Sequence, residues 1–145
     1  MASFLAMTRW CFCFYFYLSL TNIPTVKRLI LIEDDKDARD MVVFTFENNG
    51  FEVIKAEKEI TVEEIIALKP HIIVIGYQLK GTTGNDICSR FKADDQCNLI
   101  PVIVYSTTLE TAKITKGNCA DGYLGRPLEL DDLVWLVHRI SLNNR

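Results

Sequence analysis

The 145-residue chain contains no Cys-x-x-Cys pair, and its five cysteines (Cys11, Cys13, Cys88, Cys97 and Cys119) stand at no spacing that suits a zinc site. Three of them fall in residues 27–145, an odd number that reads as reduced, partly buried thiols rather than a disulfide framework. The two histidines, His71 and His138, are isolated from carboxylates and cysteines at ligand spacing, which leaves no metal site or general base built on them. Positive charge is not in excess: 16 Lys and Arg against 19 Asp and Glu give a net charge of −3 and a pI near 5.4, which excludes the basic field that a nucleic-acid backbone requires. Gly81-Thr-Thr-Gly84 is followed by no Gly-Lys-Ser/Thr, so it is not a phosphate-cradling P-loop.

Aromatic residues are not scarce but unevenly placed. Seven of the fifteen lie in the first twenty positions, where Arg9 is the only charge. Within this N-terminal extension, residues 1–26, the run Trp10–Leu20 has the length of a signal-peptide core but falls short of the roughly 20 residues that span a bilayer. It reads as upstream sequence added by a mis-assigned start, as a short membrane anchor extended back to Phe4, or as a cleaved signal. Were it an anchor, Lys27 and Arg28 would outweigh Arg9 and leave the remainder on the cytoplasmic side. The first two readings thus share a cytoplasmic location, membrane-tethered in the second.

From residue 27 to 145 the pattern is that of one domain in which strands and helices alternate. Arg28–Ile32 reads as a buried strand ending on Glu33-Asp34-Asp35, and Asp35 or a neighbour is placed to cap the helix that follows. In that helix Ala38, Met41, Val42 and Thr45 make an i, i+3, i+4, i+7 stripe, and Asn49-Gly50 stops it. Phe51–Lys55 alternates as a second strand, and Val62–Leu68 reads as a short helix ending before Pro70.

His71–Gly76 is an apolar run bounded by turn residues, as expected of a central strand buried on both faces, and it ends on glycine. The next helix, Gly84–Ala93, turns Ile87, Cys88 and Phe91 inward. Ile100–Tyr105 is the fourth strand, ending on Ser106-Thr107-Thr108, and a weaker helix is expected over Leu109–Lys116. Asp121–Leu124 gives a fifth strand that stops at Gly125-Arg126-Pro127. The last helix is lined by Leu130, Leu133, Val134, Val137 and Ile140, with Asp131 and Asp132 favoured in its first turn by the macrodipole. Val43 and Phe44 on the first helix, and Trp135 and Leu136 on the last, fall outside these stripes as scattered surface hydrophobes or a docking patch.

Five strands alternating with five helices predict an α/β fold, a parallel sheet with helices on both faces. Functional groups then collect at the carboxyl ends of the strands. Here that collection is Asp34 and Asp35, Gly76, Ser106 and Arg126.

Over essentially all of residues 27–145 the sequence resembles the receiver domain of two-component response regulators. The marks are Leu31-Ile-Glu-Asp-Asp35, the Lys80-Gly-Thr-Thr-Gly84 loop, Pro101-Val-Ile-Val-Tyr-Ser106, and Tyr123-Leu-Gly-Arg-Pro127, in that order and spacing. The resemblance implies a flavodoxin-like (βα)5 fold with strand order 2-1-3-4-5. It also implies phosphorelay chemistry, in which a histidine kinase or small phosphodonor gives a phosphoryl group to an aspartate at the end of the third strand. One magnesium ion would be held by the acidic pair Asp34 and Asp35 together with that aspartate. Ser106 would supply the hydroxyl that binds the phosphoryl group, Arg126 would occupy the lysine position, and Tyr123 would be the aromatic that swings on activation. The Arg126-Pro127 bond resembles the family's cis X-Pro turn.

Two positions depart from the pattern. Gly76 stands at the acceptor position, and glycine can form no acyl phosphate. Its loss also removes a charged metal ligand, so magnesium, which demands near-octahedral oxygen ligation, is expected to bind weakly. Arg126 keeps the lysine's charge on a longer, planar fork. With the metal weakened, its guanidinium could neutralise two carboxylates that, about 4 Å apart, repel by roughly 4 kcal/mol at an effective dielectric near 20. Ser106 reads equally as a hydroxyl that satisfies backbone at a strand end, and Thr107 is bulky enough to narrow access.

These residues lead to the expectation of a pseudo-receiver, not an enzyme and requiring no cofactor, that acts by binding a protein. The partner would be a histidine kinase, a phosphotransfer protein or an output protein, with homodimerisation possible through the face of the fourth helix, fifth strand and fifth helix. The alternative is a pocket that binds a small anionic ligand non-covalently through Ser106, Arg126 and backbone amides.

Overall fold

The structure, a computed structural model, describes residues 26–56, 60–117 and 119–143. The N-terminal segment up to residue 25, and with it the choice between anchor, signal and added sequence, lies outside the described residues. No helix among the described residues is long and apolar enough to cross a membrane.

Five strands form the main sheet: β1 (Lys27–Ile32), β2 (Phe51–Ala56), β3 (Ile72–Gly76), β6 (Val102–Glu110) and β7 (Gly122–Arg126). Their order is β2-β1-β3-β6-β7, all parallel, the expected order once the hairpin of β4 (Gln78–Leu79) and β5 (Thr82–Thr83) is set aside. Side chains alternate across this sheet with the two-residue strand period. Leu29 and Leu31, Ile72 and Val74, and Ile103 and Tyr105 enter one core with α1 (Lys36–Asn48) and α5 (Leu130–Asn143). Ile30 and Ile32, Ile73 and Ile75, and Val102 and Val104 enter a second core, with α2 (Val62–Leu68) and α3 (Gly84–Ala93). Helices on both faces explain why β3 is apolar at every position instead of alternating.

Local sequence sets the helix ends. Asp35 caps α1 by accepting from the Ala38 N–H at 2.8 Å, and Gly50, at φ +82°, takes the chain out of it in the left-handed region that glycine enters freely. Reciprocal capping boxes open α2 (Thr61 with Glu64) and α3 (Thr83 with Asp86).

Three expectations need correction. The buried face of α1 is Val42, Val43 and Phe46, while Met41 is exposed; a Val-Val-Phe-Thr-Phe run fits two helical phases, and packing on the sheet selects the one in which Val43 is core. Leu136 likewise packs partly against the core, leaving Trp135 as the exposed apolar residue of that pair. The third correction concerns residues 106–116. The strand runs on through Glu110, whose Cα pairs with Arg126 after an irregular stretch, and α4 (Thr111–Ile114) is a single turn followed by a 3-10 turn over Thr115–Gly117. Ser106, Thr107 and Thr108 are β-branched or self-bonding residues, which favour extended backbone over helix.

Candidate functional site at the carboxyl end of the sheet

At the carboxyl ends of β1, β3 and β6 lies a cleft of about 270 Å³, lined by Glu33, Asp35, Ala38, Tyr77, Gln78, Tyr105, Ser106, Thr107 and Thr108. Its floor is set by register: Gly76, the last residue of β3, pairs with Tyr105 of β6, and the Tyr77 N–H donates to the Tyr105 carbonyl at 2.7 Å.

The carboxylate closest to Gly76 belongs to Glu33. It is only 6% exposed, and its Oε2 and Cδ occupy the space that a β-carbon on residue 76 would enter, the Cδ at 3.1 Å. Glu33 Oε2 accepts a hydrogen bond from the Tyr105 hydroxyl, and Oε1 accepts from the Asp35 N–H at 3.0 Å. Its own carbonyl accepts from Arg39 Nη1 at 3.0 Å. Burial, together with the Glu33 charge and hydrogen bond, pushes the Tyr105 hydroxyl far above the usual tyrosine range, so it stays a donor.

The other two acids are turned to backbone. Asp34 accepts from the Lys80 N–H, tying the first strand to the hairpin after β3, and Asp35 caps α1. Ser106 is 4% exposed, and its Oγ accepts from the N–H groups of Thr108 (3.2 Å) and Leu109 (3.0 Å). Of the two roles open to it, this geometry displays the one at the backbone. Thr107 stands at the cleft wall, and the Thr108 hydroxyl donates to Gln78 Oε1 at 2.7 Å, joining the loops after β3 and β6 across the cleft.

Arg126 is exposed and makes no ion pair with Asp34 or Asp35, so its proposed neutralising role is not seen. β7 is the edge strand, and both β6 and β3 stand between it and β1, whose end carries the acidic groups. The Arg126-Pro127 bond is cis. Tyr123 is partly buried, and its oxygen accepts from the Ala120 N–H at 3.0 Å and donates to Cys119 Sγ at 3.9 Å. His71 Nδ1 accepts from the Arg28 N–H, and His138 packs on Phe51, so both serve structure.

The residues present fit a magnesium ion poorly. Gly76 offers no charge, each acid already accepts from a protein donor, and no three carboxylate, histidine or cysteine side chains converge among the described residues. The sequence reading missed Glu33 and Tyr105. The signal that could have found Glu33 was present: of three successive acids at a strand end, the one adjoining the strand is best placed to fold back over the neighbouring glycine.

The family sequence model of the response regulator receiver domain matches residues 29–138. The chain belongs to that family. The receiver domain is 28% identical over 111 residues to the phosphate regulon transcriptional regulatory protein PhoB of Escherichia coli, an alignment covering 74% of this chain and 48% of that protein. It is 26% identical over 116 residues to the DNA-binding dual master transcriptional regulator RpaA of Synechocystis, covering 78% and 48%. The chain therefore spans about half the length of the curated relatives it matches. Among solved structures, a putative response regulator from Chloroflexus aurantiacus superposes with a TM-score of 0.72 at 24% identity, covering 81% of this chain and 99% of that one. A CheY-like receiver domain protein from Methanospirillum hungatei superposes at 0.66 and 17% identity, covering 83% and 97%. The receiver fold is thus shared where little sequence is.

Proposed function

We propose that this receiver domain works in two-component signal transduction as a protein-interaction module that accepts no phosphoryl group at residue 76 and catalyses no reaction. One observation carries the reading: the acceptor position is glycine, and the space above it is filled by the Glu33 carboxylate, held by Tyr105. Phosphoryl transfer is accelerated by positioning and charge neutralisation, and this cleft supplies neither an acceptor nor a fitted metal. Two carboxylates line it, Arg126 is not among its lining residues, and the Ser106 oxygen is engaged by backbone, so a small anionic ligand has little to bind.

The partner is a protein of the same signalling class: a histidine kinase, a phosphotransfer protein or an output protein. The proposed contact surface is the face of α4, β7 and α5. On α5, Trp135 is 58% exposed with the Arg139 guanidinium 5.1 Å above its ring, the sort of aromatic anchor that interfaces favour. A second copy of the chain on this face would appear as a dimer in light scattering.

Thermal unfolding tests the reading. The midpoint should be the same alone, with magnesium, and with magnesium plus acetyl phosphate, because a ligand that does not bind the folded state does not stabilise it. A rise that needs both additives would overturn the reading.

A further inference from the structure

The side of α3 away from the cleft meets the loop that leads into β7, and two thiols meet there. Cys88, on the inner face of α3, is fully buried, while Cys119 is half-buried and both pack in the same apolar cluster. Cys119 Sγ donates to the Asn85 carbonyl at 3.5 Å, which sets its sulfur against the helical turn that leads to Cys88, in the apolar cluster they share. The same sulfur accepts from the Tyr123 hydroxyl. Burial, chiefly, holds Cys88 well above the usual thiol range, so it is a poor first nucleophile.

We propose that Cys88 and Cys119 are a peroxide-responsive thiol pair whose oxidation resets the Tyr123 hydroxyl. The sulfur of Cys119, the less buried residue of the pair, attacks hydrogen peroxide, the O–O bond breaks, and Cys119 becomes a sulfenic acid with release of one water. The Cys88 sulfur then attacks the Cys119 sulfur, the S–O bond breaks, and a disulfide forms as the hydroxyl leaves with the Cys88 proton as a second water. Two thiols lose two electrons, and one peroxide becomes two waters. Bonding to Cys88 draws the Cys119 sulfur towards α3 and away from the tyrosine, which loosens the bond from the Ala120 N–H to the Tyr123 oxygen. The inference is independent of the chemistry at Gly76. It supplies a trigger on the β7 side of the domain, where the Tyr123 ring lies.

The test uses the full chain, treated with hydrogen peroxide, alkylated, digested and mapped by mass spectrometry. The expected product is a peptide joining Cys88 to Cys119, released by dithiothreitol, absent from Cys119→Ser and retained in Cys97→Ser. Cys97 is a suitable control because its buried sulfur is engaged by the Phe91 carbonyl instead. In the oxidised protein the Ala120 amide should exchange about tenfold faster with solvent deuterium, as expected of a loosened local hydrogen bond. Sulfinic acid accumulating at Cys119 without the linked peptide, links to Cys97, Cys11 or Cys13 in its place, or unchanged exchange at Ala120 would overturn the proposal. If Cys119→Ser fails to fold, Cys88→Ala serves the same comparison.

Discussion

The Glu33 carboxylate stands over the backbone of Gly76, in the volume that any side chain on residue 76 would have to enter. The two residues are therefore one feature. Glycine leaves the room, and the glutamate, anchored by Tyr105 and by the Asp35 N–H, fills it.

Gly76→Asp should not rebuild an acceptor site. Its β-carbon displaces Glu33 from the Tyr105 hydroxyl, leaving buried polar groups without partners, which costs about 1–3 kcal/mol. Urea unfolding should show that loss, and Gly76→Asp with Glu33→Ala should recover part of it. A single variant as stable as the parent would mean that Glu33 yields freely.

Tyr105→Phe removes the donor and leaves Glu33 Oε2 buried and unpaired. The expected destabilisation is again about 1–3 kcal/mol. A double-mutant cycle with Glu33→Ala should return a coupling energy of about 1 kcal/mol or more, since residues sharing a buried hydrogen bond are not additive. Additive losses would show that the bond contributes nothing.

Ser106→Ala and Arg126→Ala should differ sharply. The first strips an acceptor from two backbone N–H groups and should cost about 1–2 kcal/mol; the second removes an exposed charge that makes no ion pair among the described residues and should stay within about 0.5 kcal/mol. Equal effects in chemical denaturation would contradict the placement of both residues.

Stability should fall in alkali. Tyr105 and Cys88 both have folded-state values raised above their ordinary ones, 10.0 and 9.0, chiefly by burial. The unfolded chain then releases protons that the folded chain retains, so the contribution is complete below about pH 9 and is lost as pH rises above it. Denaturation midpoints measured from pH 7 to 11 should show this slope, and Cys88→Ala should flatten its lower part.

The fold was legible because it is written in burial. The continuous apolar run that ends on Gly76 marks a strand buried on both faces, the acids before α1 mark its start, and the strand order follows from the family's motifs. The site was half legible. That Gly76 ends β3 could be read from the chain, but which of three successive acids covers it depends on how the chain turns after Ile32, and Asp35 is spent on the cap. Residues 106–110 misled for a related reason: their extended course is fixed by Ser106 bonding its own following backbone and by Glu110 rejoining β7, neither of which leaves a periodicity. Arg126 was expected just past a strand ending at Leu124, whereas β7 runs on to include it, and the acids assigned as its partners stand at the end of β1, with β3 and β6 between.

The most direct test of a receiver domain that takes up no phosphoryl group is intact-mass measurement of the full chain after incubation with acetyl phosphate and magnesium. The account predicts no species heavier by one phosphoryl group. A phosphorylated species that is lost on hydroxylamine treatment, as an acyl phosphate on Glu33, Asp34 or Asp35 would be, would contradict it.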